Sequence, residues 1–241
     1  MNLVIDIGNT SAKLTFFEGR EPVATQRVEN GLAAAVNEWF HTYRPERCAW
    51  SCVGEETEEV TRTMATLPVP TLHVTGTTPT PLHNAYRSPQ TLGADRLAAA
   101  VGAASLLPAT NVLVVDAGTC ITYDLVDATG TYRGGNISPG MGMRLAALHE
   151  HTAHLPLVEA EGDVPPVGYD TDTALRAGVV LGIRYEIEGY ARALATSFPG
   201  LRLILTGGDR IFAPAPSDSI LTDEHLVARG LNSILLHNEK L

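Results

Sequence analysis

Lysine is almost missing from this 241-residue chain: Lys13 and Lys240 stand against 15 arginines. A bias towards arginine accounts for the rarity, but not for the position of Lys13 just beyond a glycine turn. Cysteine is scarce too. Cys48, Cys52 and Cys120 make an odd set without C-x2-C spacing, which excludes a disulfide scaffold. Cys48 and Cys52 flank an apolar stretch and are expected, reduced, in a buried strand. No apolar run approaches the ~20 residues of a membrane span. The N-terminal run Met1–Asp6 meets an acid before a signal-like apolar core can form. These absences predict a cytoplasmic chain with no membrane segment. Positive charge is short as well, 17 bases against 27 acids for a net −10. Such a surface repels nucleic acid at long range, so no nucleic-acid partner is expected, although a local pocket for a small anion remains open.

What is present is ordinary globular composition, 44% hydrophobic and 18% charged. Leu3 to Ile5 reads as a buried strand, and Asp6 to Thr10 as a turn. From Ser11 to Glu18, Ala12, Leu14 and Phe16 share one face and Ser11, Lys13, Thr15 and Phe17 the other. Val23 to Val28 completes a predicted antiparallel meander. Leu32, Val36, Trp39 and Phe40 lie on one face of a predicted helix over Leu32 to Tyr43. A strand over Arg47 to Val53, a helix over Glu56 to Leu67 and a strand over Thr71 to Val74 follow. Gly76 to Gln90, with three prolines, reads as a long surface loop. A helix over Gly93 to Leu107 closes the first half. The second half predicts strands at Val112 to Val115, Cys120 to Val126 and Thr131 to Arg133. Helices near Met143 to His151 and over Asp172 to Ser197 come next, the latter capped by Asp170 or Thr171. A strand over Leu201 to Leu205, another near Ser219 to Leu221 and a helix over Glu224 to His237 end the chain.

The two halves open alike. Val4-Ile5-Asp6-Ile7-Gly8-Asn9-Thr10 is matched by Val114-Val115-Asp116-Ala117-Gly118-Thr119, with the aspartates 110 residues apart. Taken singly, each is a common hairpin. A duplicated strand, D-x-G-(N)-T and strand predicts two similar domains with a cleft between them. Glycine lets backbone approach a ligand closely, successive N–H groups cradle an anion, and aspartate supplies a hard oxygen for a phosphate-bound cation. The third element is Leu203-Ile204-Leu205-Thr206-Gly207-Gly208-Asp209, whose bare backbone suits a flat adenosine.

In this order the three elements resemble the acetate kinase/sugar kinase/Hsp70/actin superfamily, and within it the type III pantothenate kinases. Lys13 follows the first turn as it does there. Leu92-Gly93-Ala94-Asp95-Arg96 resembles the family's L-G-x-D-R helix start, and Asp116 to Asp124 its D-x-G-T-x-x-T-x-D strand pair. Gly134 to Gly140 resembles its G-G-x-I-x-P-G loop. Asp170-Thr171 resembles its N-T-x6-G segment, with aspartate where asparagine is usual. The resemblance implies an α/β fold of two actin-like (ribonuclease H-like) domains with mixed sheets flanked by helices, over residues 1–108 and 109–241. It implies ATP-dependent phosphorylation of pantothenate, the first step of coenzyme A biosynthesis, by a homodimer.

The roles it implies follow the motifs. Asp95 would be the general base, kept ionised by the helix N-terminus. Tyr86, Gly93, Ala94, Arg96 and Thr171 would bind substrate, with Arg96 on its carboxylate. ATP phosphates would meet Ile7, Gly8, Asn9, Thr10, Ser11, Ala12 and Lys13, and Thr119 would also bind ATP. Asp6 would hold Mg2+ through water, Asp116 a monovalent cation (K+ or NH4+), and Gly207-Gly208 would lie under the adenosine. Arg210 replaces the alanine often found after G-G-D. Gly178 and Gly182 share a helix face and would permit close packing, internally or across a dimer. His149, His151 and His154 lack H-E-x-x-H spacing and read as a solvated helix end. Two rivals stand beside this reading: another small-molecule, sugar-type kinase of the superfamily, and a non-enzymatic nucleotide-binding regulator.

Overall fold

Strict alternation sends the side chains of the first meander into two different cores. In the computed structural model, which describes residues 1–54, 56–209 and 220–239, the meander consists of β1 (Asn2–Ile7), β2 (Ala12–Glu18) and β3 (Glu21–Val28), paired antiparallel. Ala12, Leu14 and Phe16 join Leu3, Ile5, Val36, Trp39 and Trp50 in one cluster. Val4 and Phe17 point the other way, into a cluster with Ala98, Val101, Leu231 and Ile234. Each large apolar side chain fully withdrawn from water contributes about 1.5–3 kcal/mol, so both faces of the sheet are committed.

The chain divides into two compact units. The first comprises Met1–Ala109, Val126–Gly134 and His225–Leu241, the second Thr110–Leu125 and Gly135–Glu224. The C-terminal helix thus belongs to the first unit, whereas a plain halving of the sequence put it in the second. In the first unit, α1 (Leu32–Tyr43) leads to β4 (Arg47–Cys52), α2 (Glu58–Ala65) and β5 (Thr71–His73). The stretch expected as a loop contains a short strand, β6 (His83–Asn84), and a 3-10 turn at Pro89–Thr91. Pairing of His83 and Asn84 with Thr131 and Tyr132 makes that strand, and local sequence has no means to signal it. Then come α3 (Ala94–Leu106) and, from the end of the chain, α6 (Leu226–Asn238). These two helices pack through alanine and glycine. A methyl group on Gly230 would stand 1.7 Å from the Ala98 carbonyl oxygen, so a larger residue there would separate them.

The chain between α3 and α6 runs β7 (Val112–Ala117), β8 (Cys120–Val126), β9 (Thr131–Pro139), α4 (Met141–Glu150), α5 (Thr171–Ala195), β10 (Arg202–Thr206) and β11 (Ile220–Thr222), and all of these but Val126 and Thr131–Gly134 lie in the second unit. Leu113, Val115, Ile121, Ile183 and Leu205 lie in its core. The G-G-N-I-S-P segment, expected as a loop, is the second half of β9. Glycine and proline hide the strand period there. The cap of α5 is Asp170, not Thr171: Asp170 Oδ1 accepts from Thr173 N at 2.8 Å, and Thr173 Oγ1 accepts from Asp170 N at 3.1 Å. Arg210 and the expected strand start at Ser219 lie outside the described residues.

One sheet has the strand order β3-β2-β1-β4-β5, and the other β9-β8-β7-β10-β11 with β6 added beside β9. Apart from β6, both read third, second, first, fourth, fifth. The sequence repeat is therefore a repeat of topology, and it puts Asp6 and Asp116 at the same place, near the end of each unit's first strand.

Candidate active site

The first hairpin turn closes through Gly8 N, which donates to Ser11 O at 3.0 Å. That N–H is spent inside the turn. Ile7 and Ala12 bury their side chains in the core, so they offer a ligand nothing but backbone. Asn9 and Thr10 are exposed, and Ser11 is half-buried. Lys13 sits opposite Asp6 in the strand register. Of the predicted phosphate-binding stretch, Asn9, Thr10, Ser11 and Lys13 keep side chains at least partly open to solvent.

Asp6 is the most perturbed group of this hairpin. Burial pushes its pKa up to about 6; a hydrogen bond from the Ser51 hydroxyl counters this, the charge of Asp95 adds to it, and Lys13 counters it. Ser51 Oγ donates to Asp6 Oδ1 at 2.9 Å. Sequence reasoning missed Ser51. The signal was a single hydroxyl in the buried strand C-A-W-S-C, but its meaning depends on parallel pairing of β4 with β1, which sets Ser51 beside Asp6. Two of the three singled-out aspartates, Asp6 and Asp95, thus come within electrostatic reach in the first unit. Asp116 belongs to the second.

Asp95 occupies the first turn of α3, where the helix N-terminus favours a carboxylate. Its Oδ1 accepts from the backbone N–H of Arg96 at 2.8 Å. Arg96 is buried, with its guanidinium carbon 5.8 Å from the centre of the Tyr86 ring, a cation–π distance. Asn84 fixes the start of the Tyr86 segment by accepting from Tyr86 N at 2.9 Å. The structure therefore gathers Tyr86, Arg96, Gly93, Ala94 and Asp95 around one helix start. Thr171 lies in the second unit, on the first turn of α5.

The second hairpin is tighter, with Gly118 N donating to Cys120 O at 3.0 Å. Asp116 is half-buried, and Thr119 and Cys120 are exposed. Beyond β10, Gly207 and Gly208 turn the chain, and Asp209 N donates to Ala117 O at 3.0 Å. The G-G-D turn and the second hairpin therefore meet. Burial raises the Asp209 carboxyl above its ordinary pKa. In the histidine run, His149 Nδ1 contacts the Leu155 carbonyl at 2.8 Å; among the described residues no group of three or more His, Cys, Asp or Glu side chains able to hold a metal ion occurs.

One strand order used twice, each time opening on an acid-tipped hairpin, defines the actin-like α/β fold. Solved structures with this fold include a Campylobacter jejuni protein assigned to the Baf family of transcriptional activators (TM-score 0.66, 22% identity, 99% of this chain and 100% of that one). Another is a Sinorhizobium meliloti protein assigned as a 2-dehydro-3-deoxygalactonokinase (TM-score 0.57, 15% identity, 100% of both chains). The sequence profile of type III pantothenate kinase matches residues 2–193, and the chain belongs to that family. A type III pantothenate kinase from Bacteroides fragilis is 46% identical over 239 residues, covering 99% of this chain and 98% of its own.

Proposed function

We infer that this protein is a pantothenate kinase: it transfers the terminal phosphoryl group of ATP to pantothenate, giving 4'-phosphopantothenate and ADP, the first step of coenzyme A biosynthesis. Full-length kinship with the family carries the reading. The start of α3 supports it: Asp95 can act as a base towards the substrate hydroxyl, and the buried Arg96 guanidinium offers a cation for a substrate that carries a carboxylate.

In this reading Asp95 accepts the proton of the pantothenate primary hydroxyl as its oxygen forms the new bond to phosphorus. The bond from phosphorus to the bridging oxygen breaks, and ADP leaves with that electron pair. A weak base suffices where proton transfer is late in a loose transition state. Arg96 takes the substrate carboxylate with Tyr86 against it, and the backbone of Gly93 and Ala94 and the hydroxyl of Thr171 complete the substrate contacts. Asn9, Thr10, Ser11 and Lys13 receive the phosphates in the first hairpin. Thr119 binds ATP in the second, and Gly207-Gly208 lie under the adenosine.

Two cations suit the donors. Asp6 is one carboxylate with a raised pKa and a like-charged neighbour. That fits Mg2+, which keeps its waters and binds through one carboxylate plus substrate phosphates. Mg2+ would supply neutralisation of phosphate charge. Asp116, half-buried near the end of β7 at the position that matches Asp6 in the repeat, offers a single carboxylate for a monovalent ion such as K+ or NH4+. A homodimer is supported by α5, where a methyl group on Gly178, Gly182 or Gly189 would meet no atom within 4 Å and Tyr185 is 61% exposed. Those glycines serve no internal packing. Among the described residues no helix is long and apolar enough to cross a membrane; the reaction itself, on cytosolic ATP for coenzyme A biosynthesis, is what places the enzyme in the cytoplasm in this reading. The decisive measurement is Mg2+-ATP turnover on pantothenate, with and without K+. Turnover on sugars alone would favour the sugar-kinase rival, and binding without turnover the regulator.

A further inference from the structure

Glu186, on α5, ties together three other elements of the second unit. Tyr123 Oη on β8 donates to its Oε1 at 2.8 Å, and Arg144 Nη2 on α4 donates to its Oε2 at 2.6 Å. The same guanidinium grips the end of β9, with Nη2 donating to Ser138 Oγ at 2.8 Å and Nε to the Pro139 carbonyl at 2.8 Å. Burial works to raise the Glu186 pKa; the bonds from Arg144, Ser138 and Tyr123 outweigh it, and the carboxylate is held below its ordinary range. The side chains of Arg144 and Glu186 are 21% and 25% exposed, so this is no solvated surface pair. A guanidinium with several fixed acceptors defines geometry as well as energy.

The turn that Arg144 grips presses on the second hairpin. Gly140 N donates to Thr119 O at 3.0 Å. A methyl group at residue 140 would stand 2.1 Å from the Gly118 carbonyl oxygen and 2.5 Å from that of Thr119. Backbone lies on backbone, with no side chain between to absorb a shift. Leu145 of α4 and Val179 and Ile183 of α5 already share the apolar core, so the ion pair is not needed for adhesion. What it adds is the exact seat of the turn.

We propose that the Glu186–Arg144 pair is a positioning device for nucleotide binding, bracing the Ser138–Gly140 turn so that the tip of the Gly118–Thr119 hairpin is held in the shape that binds ATP. This rests on the assignment of Thr119 to ATP above. Neither residue of the brace touches substrate.

The test is calorimetric titration of Mg2+ with a non-hydrolysable ATP analogue into the wild-type protein, Glu186→Gln and Arg144→Lys, beside steady-state kinetics with pantothenate. Glu186→Gln should weaken analogue binding and raise the KM for ATP by about tenfold, the order of effect of a sub-ångström misplacement. The KM for pantothenate should stay within about twofold, a split that a merely structural role would not produce. Arg144→Lys keeps the charge pair and loses the fork that reaches Ser138 and Pro139. It should show the same ATP-side shift, and it carries the test if Glu186→Gln does not fold. The brace is overturned if both variants bind the analogue as tightly as the wild type, or if the constants for ATP and pantothenate worsen together in step with Tm. A wild-type protein that binds no analogue overturns the Thr119 assignment and the brace with it. One that binds the analogue but leaves pantothenate untouched overturns only the acceptor, and the brace is then decided by calorimetry.

Discussion

The two hairpins begin as copies and end as different tools. Over residues 2–10 and 112–120 burial follows the same order, position by position. They part at the turn: four residues, Gly8–Ser11, join β1 to β2, whereas two, Gly118–Thr119, join β7 to β8. They part again on the neighbouring strand. Ser51 stands beside Asp6 in the register, and Thr206 beside Asp116. Past that point Val53 N bonds Ile7 O in the first unit, but Asp209 N bonds Ala117 O in the second. Gly207, at φ 102°, takes up the one extra residue. The shared scaffold sets where an acid stands; turn length and the adjoining strand set what it can do. The wide turn has exposed side chains, which the proposed function gives to phosphates, and the tight one presents backbone on which another turn rests.

The sharpest break in this symmetry is Asp95, which charges the Asp6 side of the pair within the first unit. Asp95→Asn should cut kcat by about 10²–10⁴-fold, the range of a lost general base, and leave Tm nearly unchanged. Near-full turnover on pantothenate would remove the base assignment.

Asp6→Asn comes next, and it separates activity from stability. Its native pKa of about 6 lies above the ordinary 3.8, so between those values the folded state holds more protons than the unfolded one. The metal-free wild type is therefore most favoured, as far as this group goes, below about pH 4, and loses that share as pH rises through 6. Removing the charge should stabilise the metal-free protein at pH 7 by about 1–3 kcal/mol, with a difference that vanishes below pH 4. Turnover should fall by about 10²-fold or more, because a neutral amide holds Mg2+ poorly. Denaturation curves of the two proteins at pH 4 and 7 check the first half; equal stability at both would show that Asp6 is not strained. Asp116→Asn should lose a smaller factor, about tenfold, together with the response to K+. An unchanged response would dissociate Asp116 from the cation.

Much of this was legible in the sequence because it is local. The D-x-G-T repeat, the bounds of α1 at Leu32–Tyr43 and of β8 at Cys120–Val126, and the two-faced pattern of β2 all follow from periodicity and turn chemistry. What was not legible depends on partners far along the chain. β6 exists through its pairing with β9, the Gly134–Pro139 half of β9 hides its period behind glycine and proline, and α6 joins the first unit because Gly230 fits against Ala98. In the site, Asp6, Asp95 and Asp116 could be singled out from motifs. Ser51, Arg144 and Glu186 could not, since each matters through a hydrogen bond that tertiary packing creates.

The smallest expected effects bear most directly on what the adjoining strand contributes. Ser51→Ala removes the donor that holds the Asp6 pKa down, so the carboxyl should titrate still higher and the acid limb of the rate profile should move towards neutral pH. The lost hydrogen bond should cost about 1 kcal/mol of stability near pH 7. Thr206→Val deletes the hydroxyl at the matching register position in the second unit while keeping its volume, and Thr206 is buried. If the hydroxyl matters because it tunes the acid that faces phosphate, Thr206→Val should leave the acid limb in place and change stability by no more than about 1 kcal/mol. A pH–rate profile of each variant decides it. Matching shifts in both would mean that the two acids are tuned alike and that the division of labour between the hairpins lies in turn length alone.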